Sequence, residues 1–290
     1  MRILIYGLGG VGGYIAAYLS LTKHEVIGVA RGEHLKAIRE NGLHVSEDDK
    51  EFTARFETVD EKELSGRFDV VLFCVKSYDL KEAALTCKPF LDENSIALCL
   101  SNGVEHGETL RKLLDVRVLD GSVYILSHIE KAGHIRKMGS VFALIFSKND
   151  TMAALFDEAG LRYKMPENIE EAIWKKYIFI SAFAMLTSYY DEPIKSIVDN
   201  HYDEALAVLK EVAAIAKARG IDIEDEVQKS LSTASKLPAT ASTSMHKDIK
   251  AKKRDELETL CGYLAREAKR CRVRAVHIEK LYSELLKLHH

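Results

Sequence analysis

A glycine-rich segment close to the N-terminus is the first group of residues with recognisable chemistry. Residues 7–12 fit the G-x-G-x-x-G pattern and follow a strand-like run at Arg2–Tyr6. In this pattern the first glycine permits a tight turn, the second lets the backbone approach a pyrophosphate, and the third lets the following helix pack on the strand. The N-terminus of that helix offers free N–H groups to phosphates. We therefore predict a dinucleotide site formed by Gly7, Leu8, Gly9, Gly10, Val11 and Gly12.

The end of the second strand-like run bears on which dinucleotide is bound. NAD sites commonly carry a carboxylate there, which takes the ribose 2′-hydroxyl. The run at Glu25–Ala30 leads instead into Arg31, with no acidic residue at its tip. A guanidinium is a planar, permanently charged partner for a 2′-phosphate, although most arginines simply lie in solvent. These residues favour NADP(H) over NAD.

Two further polar side chains follow strand-like runs. Lys76 comes after the run that begins at Asp69, and Asn102 comes after Ser95–Leu100. In open α/β sheets ligands bind at the carboxyl ends of the strands. We therefore expect Lys76 to meet phosphate or ribose and Asn102 to meet the nicotinamide end. A surface lysine and an Asn-Gly turn are the alternatives.

Reduction of a carbonyl needs a proton donor as well as a hydride, and the second half of the chain offers candidates. Lys175 and Lys176 open the apolar run Ile178–Leu186, where partial desolvation would lower a lysine pKa. Two solvated lysines that cap a buried helix explain the same pattern. Ser244 is predicted to cap a later helix, and Glu256 lies 12 residues further, a little over three turns along the same face. A charged solvent face is the alternative for that stretch.

These residues require two kinds of scaffold. The first half alternates apolar runs with helical stretches, and Val141–Phe146 is the last such run. Apolar runs of this kind are typical of a parallel sheet buried on both faces. Strand signals end near Met165 and Pro166, and helical stretches follow at Glu167–Tyr190, Ile194–Arg219, Ile223–Ser235 and Met245–Cys271. We predict an α/β protein: a Rossmann-type doubly wound parallel sheet at residues 1–166 and an all-α substrate domain at residues 167–290.

Composition limits the classes of function. The 290 residues are 47% hydrophobic and 29% charged, and 41 Lys+Arg against 44 Asp+Glu give a net charge of −3. This balance is typical of a globular protein and does not favour a nucleic-acid or membrane partner. The five cysteines form no C-x-x-C pair and no zinc-ligand spacing, so we expect reduced thiols, no metal site and a cytoplasmic location. The early glycines also argue against a signal peptide.

The ordered set of residues resembles the ketopantoate reductase (2-dehydropantoate 2-reductase) family over essentially the whole chain. In the first half the resemblance rests on the glycine loop, Arg31, Lys76 and Asn102. In the second half it rests on residues at matching intervals: Trp174, Lys175, Lys176, Ser244, Met245, Asp248, Ile249, Glu256 and Gly262. The resemblance implies an NADPH-dependent enzyme that reduces 2-dehydropantoate to (R)-pantoate, a step toward pantothenate.

The resemblance also implies catalytic and substrate-binding roles. Lys176 is the implied proton donor to the carbonyl oxygen and contacts the substrate. Glu256 is implied at the junction of cofactor and substrate, as a catalytic and cofactor-binding residue. Ser244 is implied to hold the substrate carboxylate.

The remaining implied roles concern the cofactor. Asn102 is implied to touch both the cofactor and the substrate, and Arg31 and Lys76 are implied to serve the cofactor. Ser127, at the end of the run Val123–Leu126, falls where the family makes a backbone contact with the cofactor.

The chain departs from the family pattern in the substrate half. Positions at which members carry asparagine are occupied by Ile180, Ala184, Ile194 and Ala241. Each substrate polar group left unpaired by such a change costs about 1–3 kcal/mol, so the resemblance implies a more apolar pocket. The hydroxyls that could compensate are those of Ser181, Thr187 and Ser188.

Three functions therefore stay open at the level of the sequence. The first is reduction of 2-dehydropantoate with a proton from Lys176. The second is reduction of another branched or aromatic 2-keto acid, which the apolar Ile180 and Ile194 favour. The third is a non-catalytic NADP(H)-binding regulatory protein, against which the joint presence of Lys176, Ser244 and Glu256 argues. A homodimer is compatible with each.

Overall fold

The computed structural model describes residues 1–48 and 50–288. The chain divides into two compact units, one of residues 1–101 and 105–169 and the other of residues 102–104 and 170–290. The second unit thus contains a three-residue segment from the first half of the sequence in addition to the helical half. No helix of the described residues has both the length and the apolar character needed to cross a membrane.

The described residues of the first unit form eleven strands and five α-helices. Its strands are β1 (Arg2–Tyr6), β2 (Glu25–Val29), β3 (Leu43–Glu47), β4 (Lys50–Ala54), β5 (Glu57–Val59), β6 (Val70–Phe73), β7 (Ile96–Cys99), β8 (Arg117–Leu119), β9 (Gly121–Lys131), β10 (His134–Phe146) and β11 (Tyr163–Lys164). Its helices are α1 (Gly10–Leu19), α2 (Gly32–Asn41), α3 (Leu80–Cys87), α4 (His106–Leu113) and α5 (Asp150–Glu158).

Six strands form the predicted parallel sheet, in the order β5-β2-β1-β6-β7-β8. The fully buried runs of β6 and β7 explain why their sequences are continuously apolar. The strand order reverses between β1 and β6, which is the position where doubly wound sheets bind nucleotides. The prediction of a Rossmann-type sheet is therefore confirmed, and the loops after β1, β2 and β6 leave the same edge.

A second sheet was not predicted, and the assignment of Val141–Phe146 to the parallel sheet is wrong. That run belongs to β10, which pairs antiparallel with β9 in a sheet ordered β11-β10-β3-β4. A short turn joins β9 to β10, and Gly133 in that turn has φ 73°. An apolar run of this kind is compatible with a parallel and with an antiparallel sheet. Only the hairpin that β10 forms with the preceding strand shows which sheet it belongs to.

Helix α1 packs between the two sheets of the first unit. One buried cluster joins Ile3 and Ile5 of the parallel sheet, Ile15 of α1, and Leu43 and Ile135 of the second sheet. This packing fixes the helix whose N-terminus follows the glycine loop. The position of the loop is therefore set by burial on both sides of α1.

Residues 170–288 contain helices and no strand, as predicted for this half. The helices are α6 (Ile169–Tyr190), α7 (Ile194–Asn200), α8 (Tyr202–Ala218), α9 (Asp225–Ser235), α10 (Ser244–Lys250), α11 (Tyr263–Cys271) and α12 (Val276–Leu288), with a π-helical turn at Glu258–Gly262. Helix α6 is buried on most of its surface, because its apolar run covers nearly every face.

Two predicted helices are interrupted. The stretch Ile194–Arg219 breaks at His201, whose backbone is not helical and whose ring stacks on Tyr190 at 3.6 Å. The stretch Met245–Cys271 breaks after α10, where Lys252 has φ 53°. Four of the five residues from Lys250 to Arg254 are cationic, and their mutual repulsion disfavours a continuous helix.

Candidate active site

The glycine loop has the conformation that its motif requires. Gly7 has φ 101°, a value that favours glycine, and the amides of Gly7 and Leu8 donate to the carbonyl oxygen of Val29 at 3.2 and 3.0 Å. A Cβ atom on Gly12 would lie 2.0 Å from the carbonyl oxygen of Gly7. The first and third glycines are therefore needed by the fold itself.

Gly9 differs from these two glycines. Its φ of −71° suits any residue, and a Cβ atom built there would meet no atom within 4 Å. The N–H groups in the first turn of α1 lack intrahelical acceptors and form the positive end of the helix dipole. Open space beside such donors fits a dinucleotide pyrophosphate, and the loop residues Gly7, Leu8, Gly9, Gly10, Val11 and Gly12 would hold it.

Ser127 lies against the glycine loop. A Cβ atom on Gly10 would come within 2.5 Å of the backbone oxygen of Ser127, so only glycine allows this approach. The hydroxyl of Ser127 is buried and has no hydrogen-bond partner among the described residues. Ser127 lies inside β9 and not at a strand end, contrary to the expected local structure. Its contact with the cofactor stays a prediction.

The two predicted cofactor cations lie at the carboxyl edge of the parallel sheet. Arg31 directly precedes α2, its side chain is 87% exposed, and its guanidinium lies 3.5 Å from Asp79. Lys76 follows β6 and precedes a short 3₁₀ turn. The high exposure of Arg31 leaves its charge accessible to a ligand phosphate.

His34 is a residue of this region that the sequence did not single out. Its Nε2 lies 2.9 Å from the carbonyl oxygen of Leu8, and its Nδ1 accepts from the amide of Gly133 at 3.0 Å. Because a backbone amide can only donate, Nε2 must carry the proton and donate to Leu8. Burial lowers the pKa of His34 below its usual 6.5, which favours this neutral form. His34 therefore ties the glycine loop to α2 and to the β9–β10 turn.

In the second unit, Lys176 has the properties expected of a proton donor. Its Nζ donates to Oδ1 of Asn102 at 3.0 Å, which fixes the direction of the ammonium group. Burial lowers the pKa of Lys176 to about 8, and the charge of Glu256 opposes this shift. Lys176 as a whole is half-buried. The burial that lowers the pKa of its ammonium excludes the alternative of a solvated helix cap.

Glu256 is not on a helix shared with Ser244, contrary to the prediction. It is 4% exposed and lies in the segment that follows the break after α10. Asp255 accepts from the amide of Leu257 at 2.8 Å and so begins the next helical turn. The predicted spacing of a little over three helical turns therefore does not apply.

Tyr177 anchors α6 to the π-helical turn that follows Glu256. Its hydroxyl donates to the carbonyl oxygens of Thr259 and Leu260 at 2.7 and 3.2 Å. Its ring packs on Trp174 and Tyr263 at centroid distances of 5.5 and 6.2 Å. A π-helical turn shifts backbone carbonyls out of the α-helical pattern, and such turns are frequent at functional sites. The segment that carries Glu256 is therefore attached to the helix that carries Lys176.

Ser244 is the first residue of α10 and does not cap it. Thr243 is the cap, because its hydroxyl accepts from the amide of His246 at 3.2 Å. Ser244 is exposed, which leaves its hydroxyl accessible to a ligand. Its role toward a substrate carboxylate stays a prediction.

The positions at which this chain has an apolar residue in place of the family's asparagine lie largely in the hydrophobic core. Ala184 and Ile194 are 1% and 5% exposed, and Ile180 packs against the same cluster. The amide of Ile194 donates to the carbonyl oxygen of Ala241 at 2.9 Å. These four residues therefore offer no side-chain hydrogen bond to a ligand.

Two of the three hydroxyls that could replace the missing asparagines already donate hydrogen bonds within the protein. Ser181 and Thr187 donate to carbonyl oxygens of their own helix at 2.7 and 2.6 Å. Ser188 is buried, and its hydroxyl has no partner among the described residues. Of the three hydroxyl protons, only that of Ser188 is not donated to another described residue.

Comparison with known proteins matches the whole chain to one family of enzymes. The sequence model of the family described as ketopantoate reductase PanE/ApbA matches residues 3–175, and its C-terminal counterpart matches residues 168–289. An uncharacterized oxidoreductase of Bacillus subtilis, YkpB, is 27% identical over 98% of this chain and 98% of its own.

Solved structures agree with this match. The crystal structure of a PanE/ApbA family ketopantoate reductase from Ralstonia eutropha has a TM-score of 0.94 at 29% identity and covers 100% of this chain and 98% of its own. The 2-dehydropantoate 2-reductase of Porphyromonas gingivalis has a TM-score of 0.86 at 34% identity, with 99% of both chains covered. The similarity extends over both units.

Proposed function

The chain belongs to the ketopantoate reductase family, and on that premise we propose that it reduces 2-dehydropantoate to (R)-pantoate with NADPH. The coarser activity, a pyridine-nucleotide-dependent oxidoreductase that acts on a keto or hydroxyl group, follows from the family. The observation that carries the proposal is Lys176, whose pKa of about 8 and hydrogen bond to Asn102 suit a general acid.

The proposed roles in the chemistry are as follows. Residues of the glycine loop would hold a dihydronicotinamide cofactor, which when bound would supply a hydride for the keto carbon of the substrate. The ammonium of Lys176 donates a hydrogen bond to the keto oxygen and transfers its proton as negative charge develops there. Asn102 orients that ammonium and meets both ligands. The products are the 2-hydroxy acid and oxidised cofactor, and Lys176 regains a proton from solvent.

Glu256 and Ser244 have supporting roles in this proposal. The charge of Glu256 keeps the pKa of Lys176 from falling further, so the lysine is still mostly protonated at neutral pH. Glu256 also contacts cofactor and substrate at their junction. The exposed hydroxyl of Ser244 holds the substrate carboxylate.

NADP(H) is the proposed cofactor, bound by residues of the first unit. The glycine loop would hold the pyrophosphate, Ser127 would add a backbone contact, and Lys76 would meet phosphate or ribose. Arg31 supports the choice of NADP(H), because its exposed guanidinium stands where an NAD site carries an acid. A cytoplasmic location, a place in pantothenate synthesis and a homodimer are predictions that accompany this function.

A second candidate is the reduction of another branched or aromatic 2-keto acid. The apolar residues at positions 180, 184 and 194 favour it, because they provide no side-chain donor for the hydroxyl group of 2-dehydropantoate. A pocket that lacks such a donor discriminates little against substrates without that hydroxyl. The third function, that of a non-catalytic NADP(H)-binding protein, has no use for a lysine of lowered pKa, so Lys176 does not support it.

The test is a steady-state panel of 2-keto acids with NADPH and with NADH. The panel contains 2-dehydropantoate, its analogue without the hydroxyl group, a longer branched 2-keto acid and phenylglyoxylate. The proposal predicts the highest kcat/KM for 2-dehydropantoate with NADPH. A higher value for a substrate without the hydroxyl selects the second candidate. An absence of turnover across the panel, with NADPH still bound, would contradict both enzymatic functions.

A further inference from the structure

A chain of hydrogen bonds at the C-terminal end of α6 is not used by the chemistry described above. The ring of His246, which is 5% exposed, contacts polar side chains on both of its nitrogens. Nε2 lies 2.7 Å from Oδ1 of Asp191, and Nδ1 lies 2.6 Å from Oγ of Ser242. A neutral imidazole with its proton on Nε2 satisfies both contacts, since it donates to the carboxylate and accepts from the hydroxyl.

Asp191 has an unusual backbone conformation. It directly follows α6 and has φ 53°, in the left-handed region that glycine or asparagine adopts most readily. Its carboxylate also lies 2.8 Å from Nζ of Lys250. Hydrogen bonds from Lys250 and His246 lower the pKa of Asp191, so the carboxylate stays charged. The acceptor for His246 is therefore permanent across the neutral range.

The segment that leads into α10 is thus attached to the α6–α7 region at three points. Ala241 accepts from the amide of Ile194 at 2.9 Å. The hydroxyls of Thr243 and Thr187 lie 2.9 Å apart. His246 completes the set through Asp191. Ser244 lies between the second and third attachments and is itself exposed.

We propose that His246 is a positioning residue that fixes Ser244 for the carboxylate of the 2-keto acid. The inference rests on the proposed function, because it assigns Ser244 to that carboxylate. His246 takes no part in the proton or hydride transfer. It acts by holding the backbone on both sides of Ser244, so that the hydroxyl is presented in one orientation before the substrate arrives.

The test compares three variants of His246 in the full chain. His246→Leu removes both contacts. His246→Gln keeps an amide donor near the position of Nε2, and His246→Asn keeps an amide group near the position of Nδ1. We expect His246→Leu to raise KM for the 2-keto acid about tenfold. The kcat and the KM for NADPH should stay within about twofold. His246→Gln should restore most of the loss, because the link to Asp191 spans the two segments.

Two controls separate positioning from general stability. His201→Leu removes another histidine–carboxylate contact of the same region, the 3.4 Å pair with Glu192, and should leave KM for the 2-keto acid unchanged. In a Ser244→Ala background, His246→Leu should add no further increase in KM. An equal rise of KM in both backgrounds would overturn the proposal.

Hydrogen exchange of the amides of residues 242–246 tests the attachment without turnover. His246→Leu should lose protection there, and His201→Leu should not. Unchanged protection in His246→Leu would overturn the proposal whatever the kinetics show. If the wild-type chain reduces no 2-keto acid while His246→Leu loses protection, the proposed function has failed and the attachment stands. If the wild type is active and KM does not change in His246→Leu, the positioning role is wrong.

Discussion

The glycine loop of the first unit and the Lys176 site of the second differ in the parts of the chain that form them. The loop consists of backbone: Gly7 turns it, Gly12 allows it to close, and Gly9 leaves space beside free N–H groups. The Lys176 site consists of side chains, and its chemistry depends on how burial and the charge of Glu256 set one pKa. A backbone site is specified by local sequence, whereas a side-chain site is specified by the packing around it.

The largest effect is expected at the side-chain site. Lys176→Met keeps the length and apolar character of the stem and removes the ammonium. We expect kcat to fall by about 10²- to 10⁴-fold, the usual contribution of a general acid. The affinity for NADPH, measured by fluorescence titration, should change by less than about twofold, because the cofactor loop is in the other unit. Near-normal turnover in this variant would refute the assignment of Lys176.

Two glycine variants separate binding from folding in the backbone site. Gly9→Ala adds a methyl group in open space at an ordinary φ, so thermal stability should not fall. We expect the Kd for NADPH to rise about tenfold or more, because the methyl group takes the space of the pyrophosphate. Gly12→Ala should instead destabilise the protein by about 1–3 kcal/mol through the clash with Gly7. Unchanged cofactor affinity in Gly9→Ala would place the pyrophosphate elsewhere.

The preference for NADPH over NADH should depend on a side chain, that of Arg31, although the glycine loop of the proposed cofactor site would bind through its backbone. Arg31→Ala should reduce the preference for NADPH over NADH by about tenfold, since one charge-assisted contact with the 2′-phosphate is lost. Lys36→Ala is the matched control, because Lys36 is an exposed cation of α2, the helix that Arg31 directly precedes. Equal preference ratios in the wild type and in Arg31→Ala would remove the phosphate role from Arg31.

The smallest predicted effect concerns His34, whose ring hydrogen-bonds to the backbone of the glycine loop. The pKa of folded His34 is lowered below the unfolded value of 6.5, so its stabilising contribution is present above pH 6.5 and is lost as the pH falls through the folded pKa. His34→Leu should lower the unfolding free energy by about 1 kcal/mol at neutral pH. The difference between wild type and variant in urea unfolding should shrink as the pH falls below 6.5. A difference that does not vary with pH would contradict the role of a neutral His34.

The glycine loop shows how far local sequence reaches. Its turn, its close packing and the helix after it follow from six residues, and the structure has them in place. The β9–β10 hairpin was missed because the apolar run at 141–146 is compatible with either sheet. His34 was missed for a related reason: its two partners, Leu8 and Gly133, are 26 and 99 residues away.

The Lys176 site shows what local sequence cannot supply. The apolar run after Lys176 predicted desolvation, but a solvated cap explained the same residues. Only the packing of α6 and the hydrogen bond that Lys176 donates to Asn102, 74 residues distant, decide between the two. The helix spacing proposed for Ser244 and Glu256 was wrong, because the cationic residues after α10 interrupt the helix. The family resemblance proposed the residues, and the fold determined their environment.

The dependence of kcat/KM on pH tests the central claim most directly. Lys176 must be protonated to reduce a ketone, and its pKa is about 8. In the direction of 2-keto acid reduction we predict a level profile up to about pH 8 and then a fall that approaches tenfold per pH unit. The same fall of kcat/KM above pH 8 should be absent from the residual activity of Lys176→Met. A wild-type profile that stays level to about pH 10 would contradict Lys176 as the proton donor.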